Sequence, residues 1–162
     1  MIEVLVAMIV FAISLIGIAG MLVISHKSNS SSYIKQQAVQ SANDILDRIN
    51  ANRTEVTNAN YDTNNLSSGT PVYPSAPTTD CGTSSCSSTQ IATYDKWYWL
   101  AKDLTQLPNG SGSIKTSVSG NQTTIVVTVQ WDDSPAQKKL GASTITQGAT
   151  ANLSQFIVQT EL

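Results

Sequence analysis

The sequence predicts an α+β fold in which one long N-terminal α-helix packs on a small antiparallel β-sheet of three to four strands. Three observations predict it. The chain opens with an apolar run, this run passes without a break into an amphipathic stripe, and alternating apolar and polar residues dominate the C-terminal third. Because neither the stripe nor a half-buried sheet can bury its apolar side alone, we expect the two to cover each other.

The apolar run is the first element. Residues 4–24 form 21 consecutive positions without a charge, directly after Glu3. As a helix they would span roughly 32 Å, about the thickness of a bilayer core. A cleaved signal peptide would have a shorter apolar region preceded by Lys or Arg, and no basic residue precedes this one. Residues 1–25 are therefore predicted to be a retained transmembrane segment.

Residues 26–53 predict the amphipathic second half of the same helix. Apolar residues recur at spacings of three and four, with polar residues between them. This pattern is typical of a helix with one buried face and one face exposed to solvent. No proline precedes Pro71, and no glycine lies between Gly20 and Gly69. We expect the helix to run unbroken to about Arg53. The stripe consists of Ile34, Ala38, Ala42, Ile45, Leu46 and Ile49.

Residues 54–92 have a different composition. Ser, Thr, Asn, Gly and Pro supply 24 of these 39 positions, and neither a helical nor a strand period is present. A loop of this length is either functional or disordered. Its cysteines, Cys81 and Cys86, predict a local disulfide in an exported protein. A redox role is less favoured, because redox pairs have two residues between the cysteines.

Residues 93–162 predict a short helix followed by the sheet, and residues 26–162 together form one globular domain. Asp95 would cap the helix, Trp97 would face the core, and the place of Trp99 is open. A Gly120-Asn121 turn joins two strand-like runs into a hairpin, a loop of about 20 residues follows, and residues 154–162 supply a last strand.

Several segments resemble type IV pilins. The opening "IEVLVAMIVFAISLIGIAG" is similar to the N-terminal signature of that superfamily, in which a glutamate precedes an apolar helix. The segments "DILDRINANR", "LPNGSGSI" and "VTVQWDD" resemble stretches of the PilV-type minor pilins, in the same order. The resemblance covers the N-terminal third strongly and the C-terminal half in patches. It implies the type IV pilin fold.

The resemblance also gives Glu3 a role. In assembled pili the family's signature glutamate is proposed to neutralise the N-terminal amine of a neighbouring subunit within a helical bundle, and Glu3 is the matching residue. A carboxylate in an apolar bundle is costly unless paired. In the free subunit, Glu3 would instead rest in headgroup water. Met1 stands where the family has Leu, so the leader, Gly, Phe and Thr of the family signature are not in the sequence. An in-frame basic leader ending in Gly-Phe-Thr in the upstream DNA would settle the family.

Residues suited to chemistry are few, and we expect no enzyme, cofactor or metal. A single histidine, His26, cannot complete a zinc site or activate a serine. Asp132 and Asp133 could hold calcium, but two adjacent acids leaving a strand are more often a solvated turn. The net charge of −2 argues against a nucleic-acid-binding face.

The resemblance implies a minor pilin that supports pilus biogenesis in a priming or tip complex, and through it twitching motility, adhesion or DNA uptake. Its partners would be other minor pilins, the major pilin, the inner-membrane assembly machinery and, before assembly, membrane lipid. It would be a single-pass protein of the bacterial inner membrane with a periplasmic domain, and then part of the pilus. The alternatives are a minor pseudopilin of type II secretion and an anchored domain that binds through the 54–92 loop.

Overall fold

The long helix is continuous. The computed structural model describes residues 2–134 and 153–161, apart from the side chains of residues 26 and 27. Helix α1 spans Ile2–Ala51, 50 residues in all. It ends where the Asn52 N–H bonds the carbonyl of Ile49 and a short 3-10 turn, Arg53–Glu55, follows. The prediction of one unbroken helix ending near Arg53 is confirmed.

The predicted apolar stripe forms one wall of the core. Ala38, Ala42, Ile45, Leu46 and Ile49 are buried, and Ile34 packs at the margin of the core. The stripe recurs every three to four residues, so these side chains lie on one side of the helix and face the sheet and the second helix. The alanines allow close approach of neighbouring elements.

The polar segment after α1 is held against the sheet. Its regular structure before residue 88 is limited to the turn Arg53–Glu55 and strand β1, Thr63–Asn64. The Tyr73 hydroxyl donates to the carbonyl of Gly110 at 2.8 Å, and the Gln130 amide donates to the carbonyl of Ser67 at 2.6 Å. These bonds attach the segment to one end of the sheet.

The second helix begins earlier than predicted. Helix α2 spans Ser88–Tyr98 and continues through a π-helical turn, Trp99–Asp103, and a 3-10 turn, Leu104–Gln106. The prediction that Asp95 caps it is wrong. Ser87 and Gln90 form a reciprocal capping box, in which the Ser87 N–H donates to the Gln90 side chain at 2.9 Å. The spacing Ser-x-x-Gln carries this signal in the sequence.

The early start changes which tryptophan is buried. The buried face of α2 is formed by Ala92 and Asp95 and continues to Trp99, which is 0% exposed. Trp97, predicted to face the core, is only partly buried and contacts the rings of Tyr94 and Tyr98. Trp97 was assigned to the core because Asp95 is charged and yet buried. The spacing of apolar residues alone therefore does not reveal the buried face of α2.

The sheet has four antiparallel strands in the order β1-β2-β3-β4. Strand β2 spans Ser111–Ser119, β3 spans Gln122–Asp132 and β4 spans Leu153–Glu161. The predicted hairpin is confirmed: Ser119 pairs with Gln122 across a two-residue loop, and Gly120 has φ 61°. Glycine with positive φ at the first loop position is typical of a type II′ turn. The predicted loop between β3 and β4 lies outside the described residues.

The core lies between the inner face of the sheet and the two helices. Alternate residues of β2 and β3 point into it, as period-two patterning predicts. Trp99 and Leu104 pack so closely on β2 that a Cβ at Gly112 would lie 2.5 Å from the Trp99 ring. Glycine is therefore required there. The buried apolar residues of the sheet are Ile114, Ile125, Val127, Val129 and Trp131.

We expect the chain without residues 1–25 to fold as a soluble domain, because the buried core begins at Ala38. Circular dichroism should report a cooperative thermal transition for the fragment, with near-ultraviolet tryptophan bands matching those of the full chain in detergent micelles. A fragment that melts without cooperativity would show that the apolar half contributes to the core.

Candidate functional site

The first half of α1 is a bare apolar helix that projects away from the rest of the protein. We call the described residues after α1, 52–134 and 153–161, the head. A window of this helix is long and apolar enough to cross a membrane, and none of that window is buried in the protein. Its large apolar side chains are more than half exposed, from Ile2 at 76% to Ile24 at 59%. So much exposed apolar surface requires either lipid or other helices as its surroundings. The exposed large apolar side chains of this half are Ile2, Val4, Leu5, Val6, Met8, Ile9, Val10, Phe11, Ile13, Leu15, Ile16, Ile18, Met21, Leu22, Val23 and Ile24.

Glu3 lies in the first turn of this helix and is exposed. It borders a shallow depression that it shares with Val6, Ala7 and Val10, which follow at the i+3, i+4 and i+7 positions. One turn after Val10, the Ser14 hydroxyl donates a hydrogen bond to the Val10 carbonyl at 2.9 Å. Glu3 is thus the charged end of an otherwise apolar stripe.

A network that we call the polar joint connects the second half of α1 to the head. Asp95 of α2 is its centre: one carboxylate oxygen accepts from Arg48 at 3.2 Å and the other from the Tyr61 hydroxyl at 2.9 Å. Arg48 also bonds Asp44 on its own helix at 2.8 Å. The Asn52 amide donates to the Tyr61 oxygen at 3.2 Å. The polar joint consists of Asp44, Arg48, Asn52, Tyr61 and Asp95.

Burial makes the polar joint specific. Asp95 is 6% exposed and Tyr61 is fully buried. Desolvation raises the pKa of Tyr61 far above its usual range, so the hydroxyl remains a donor at all relevant pH values. A buried carboxylate that accepts from two fixed donors tolerates little rotation between the elements that supply them. The polar joint therefore fixes the angle between α1, α2 and the loop that carries Tyr61.

A second carboxylate, Glu55, anchors the N-terminus of α2. It accepts from the Ser88 hydroxyl at 2.7 Å and the Thr89 hydroxyl at 3.3 Å, and also from the Asn60 amide. The hydrogen bond from Ser88 is the largest influence that lowers the pKa of Glu55. A negative charge at a helix N-terminus also interacts favourably with the helix dipole.

Trp99 joins α1 and α2 through both its ring and its N–H. The indole nitrogen donates to the Ser41 carbonyl at 3.1 Å and to the Ser41 hydroxyl at 3.0 Å. A buried indole N–H requires such a partner. Sequence reasoning missed this residue and the polar joint, although the Asp44–Arg48 spacing of four is a readable signal for an intrahelical ion pair.

Comparison with known proteins finds a family model that matches part of the chain. Residues 21–97, which are 77 of the 162 residues, match the model of the Tt1218-like family, described as type IV pilin Tt1218. The match supports the type IV pilin superfamily. It begins inside the apolar half of α1 and includes the polar joint, the cysteines and nearly all of α2. No curated protein and no solved structure matches the chain.

The disulfide lies directly before α2. Cys81 and Cys86 are bonded, with their Cα atoms 5.6 Å apart, and Cys86 precedes the Ser87 cap. The Asp80 carboxylate, directly before the ring, accepts from the N–H of Gly82 inside it at 2.9 Å. The ring thus limits the conformations available to the chain immediately before the helix begins.

The remaining sequence candidates are distributed over the fold. The side chain of His26 lies outside the described residues. Asp132 is buried and accepts from the Ser134 N–H at 2.8 Å, while Asp133 accepts from the Ser31 hydroxyl of α1 at 3.3 Å. Within the described ranges, 2–134 and 153–161, no group of three metal-ligating residues occurs.

Replacing Asp95 with alanine should lower the free energy of unfolding by about 2–4 kcal/mol, because Arg48 and the buried Tyr61 hydroxyl lose their acceptor. Tyr61→Phe should cost about 1 kcal/mol, since it removes one hydrogen bond. Urea unfolding followed by tryptophan fluorescence measures both. Asp47→Ala, at an exposed position on α1, is the matched control and should change the free energy little. Equal losses for Asp95→Ala and Asp47→Ala would contradict the assigned role.

Replacing both cysteines with serine should lower the free energy of unfolding by about 2 kcal/mol, the loop-closure value for a ring of this size. In protein recovered from an oxidising compartment, alkylation without reductant should label neither cysteine. Mass spectrometry after reduction and alkylation should label both. Free thiols before reduction would contradict export of the head.

Proposed function

We propose that this chain is a PilV-type minor pilin, a structural subunit that joins other minor pilins in a priming or tip complex of the type IV pilus. The observation that carries the proposal is the division of α1 into an exposed apolar half and a docked half. The exposed half can enter a bundle of like helices, and the docked half holds the head at a fixed angle to that bundle. This division suits a subunit of a larger assembly, and such a role requires no catalytic activity.

In this proposal the exposed half of α1 has two environments. Before assembly it lies in the inner membrane, with the head in the periplasm and Glu3 at the level of the lipid headgroups. After extraction by the assembly machinery, the same surface packs against the helices of other minor pilins and of the major pilin. Lipid and apolar helices are both suitable surroundings, so exchange between them costs little hydrophobic free energy.

Glu3 supplies the specificity that apolar contacts lack. Its carboxylate would pair with the N-terminal amine of a neighbouring subunit, which places adjacent helices at one axial register. In an environment of low dielectric an unpaired charge is penalised by several kcal/mol, whereas at the membrane edge it is solvated. Loss of the charge should therefore impair assembly and spare membrane insertion.

Glu3→Ala and Glu3→Gln test this in cells that carry the gene at its own chromosomal locus. Both variants should accumulate in the inner membrane at the normal level and yet enter sheared pili poorly. Gln retains the shape and hydrogen bonding of Glu but loses its charge, so it should be nearly as poor as Ala. The measurement is the ratio of pilus-associated to membrane-bound subunit by immunoblot.

The matched control is Glu161→Gln, which removes one exposed carboxylate at the end of β4. It should leave the ratio unchanged. An unchanged ratio for both Glu3 variants would contradict the pairing role. Absence of the normal chain from the pilus fraction, together with loss of protein secretion on deletion of its gene, would instead indicate a pseudopilin.

A further inference from the structure

A polar cleft of about 330 Å³ lies where the turn after α2 approaches α1. Asp44 and Arg48 line it from α1, Tyr98 lines it from α2, and Asp103 and Gln106 line it from the turn. It is next to the polar joint, and it contains a carboxyl that the polar joint does not use, that of Asp103.

Asp103 is half-buried, and its Oδ2 atom is inaccessible to solvent. Among the described residues, this oxygen has no hydrogen-bond partner. A buried acceptor without a donor loses its hydration and gains nothing in exchange, so an ionised Asp103 would be costly. A proton on the carboxyl removes that cost.

Other donors line the cleft, namely the amides of Gln37, Gln40 and Gln106 and the hydroxyl of Ser41, but none of them bonds the Asp103 Oδ2 atom. From α1, Asp44 and Arg48 line the same cleft, and a hydrogen bond with Asp44 is one of the influences that raise the pKa of Asp103. Arg48 directs its Nε to Asp44 at 2.8 Å and one terminal nitrogen to Asp95 at 3.2 Å. From α2, Tyr98 lies beneath the guanidinium, whose carbon is 4.8 Å from the ring centre. The arginine is thus already committed to two other carboxylates and an aromatic ring.

Desolvation, followed by the charge of Asp44, raises the pKa of Asp103 to about 6, against the weaker opposing influence of Arg48. Burial and a like charge act in the same direction, because both disfavour the ionised form. The electrostatics therefore agree with the geometry of the unpaired oxygen.

We propose that Asp103 and Asp44 form a proton-sharing carboxyl pair that latches the turn after α2 to α1 in mildly acidic surroundings and releases it near neutral pH. In acid, the protonated Asp103 donates to the Asp44 carboxylate across the cleft. When the proton leaves, two carboxylates face each other and the contact becomes repulsive. This inference is independent of the proposed function.

The sign of the effect follows from proton linkage. Because the pKa of Asp103 is higher in the folded protein than in the unfolded chain, the folded state binds this proton more tightly. The contribution to stability is fully present below the ordinary aspartate range and is lost as pH rises through about 6. The head should therefore be held more firmly on α1 in acid than at neutral pH.

The test uses the full chain in detergent micelles, with ¹³C-labelled aspartate carboxyls followed by NMR between pH 3 and pH 8. The Asp103 signal should titrate with a midpoint near 6. Asp44→Asn should lower that midpoint by about one pH unit or more, since the like charge is removed and the new amide can donate to Asp103. Asp47→Asn, on the same helix, is the control and should leave the midpoint unchanged.

Thermal unfolding gives a second measurement. Between pH 4.5 and pH 7 the melting temperature of the normal chain should fall relative to that of Asp103→Asn by roughly 3–6 °C. An Asp103 midpoint below pH 5 would overturn the proposal. So would a raised midpoint that Asp44→Asn does not change, because burial alone would then hold the proton and no latch would exist.

Discussion

The structure depends on the burial of the stripe on the second half of α1. A small sheet cannot remain folded in water while its apolar face is exposed. An amphipathic helix likewise needs another element to cover its apolar stripe. Each covers the other, and α2 closes the side that the sheet leaves open. On the same stretch of α1, Ala38 and Ala42 are buried, and Trp99 donates to the backbone of Ser41.

Polar contacts then decide the angle at which these elements meet. Apolar packing is tolerant of small rotations, whereas hydrogen bonds to buried carboxylates are directional. Asp95 receives donors from α1 and from the loop, and Glu55 receives donors from the first turn of α2. The two acids lie at opposite ends of α2, so the helix is fixed at both.

Periodicity made most of this fold predictable. The helix, the buried stripe, the hairpin and the last strand all follow from apolar residues recurring with period 3.6 or 2. The first turns of α2 were not predicted, because a buried Asp95 interrupts the apolar pattern and resembles a cap. The polar joint also could not be predicted, since Arg48, Tyr61 and Asp95 are distant in sequence and meet only through the tertiary fold.

The candidate site divides in the same way. The position of Glu3 before an apolar run is visible in the sequence, and so is the spacing of Cys81 and Cys86. The unpaired oxygen of Asp103 is not visible there. Whether a carboxyl is desolvated depends on what surrounds it in three dimensions, and no local pattern of letters records that.

Because α1 is one continuous helix, a change of its angle at the head moves its far end. The exposed apolar half of α1, residues 2–25, is 24 residues long, which is about 36 Å at the rise of an α-helix. A tilt of only about 5° where the helix meets the head would displace the far end by about 3 Å, close to the length of one hydrogen bond. A flexible linker would absorb such a tilt, but a continuous helix transmits it. Small substitutions deep in the head can therefore shift the position of Glu3, although they touch neither that residue nor its neighbours.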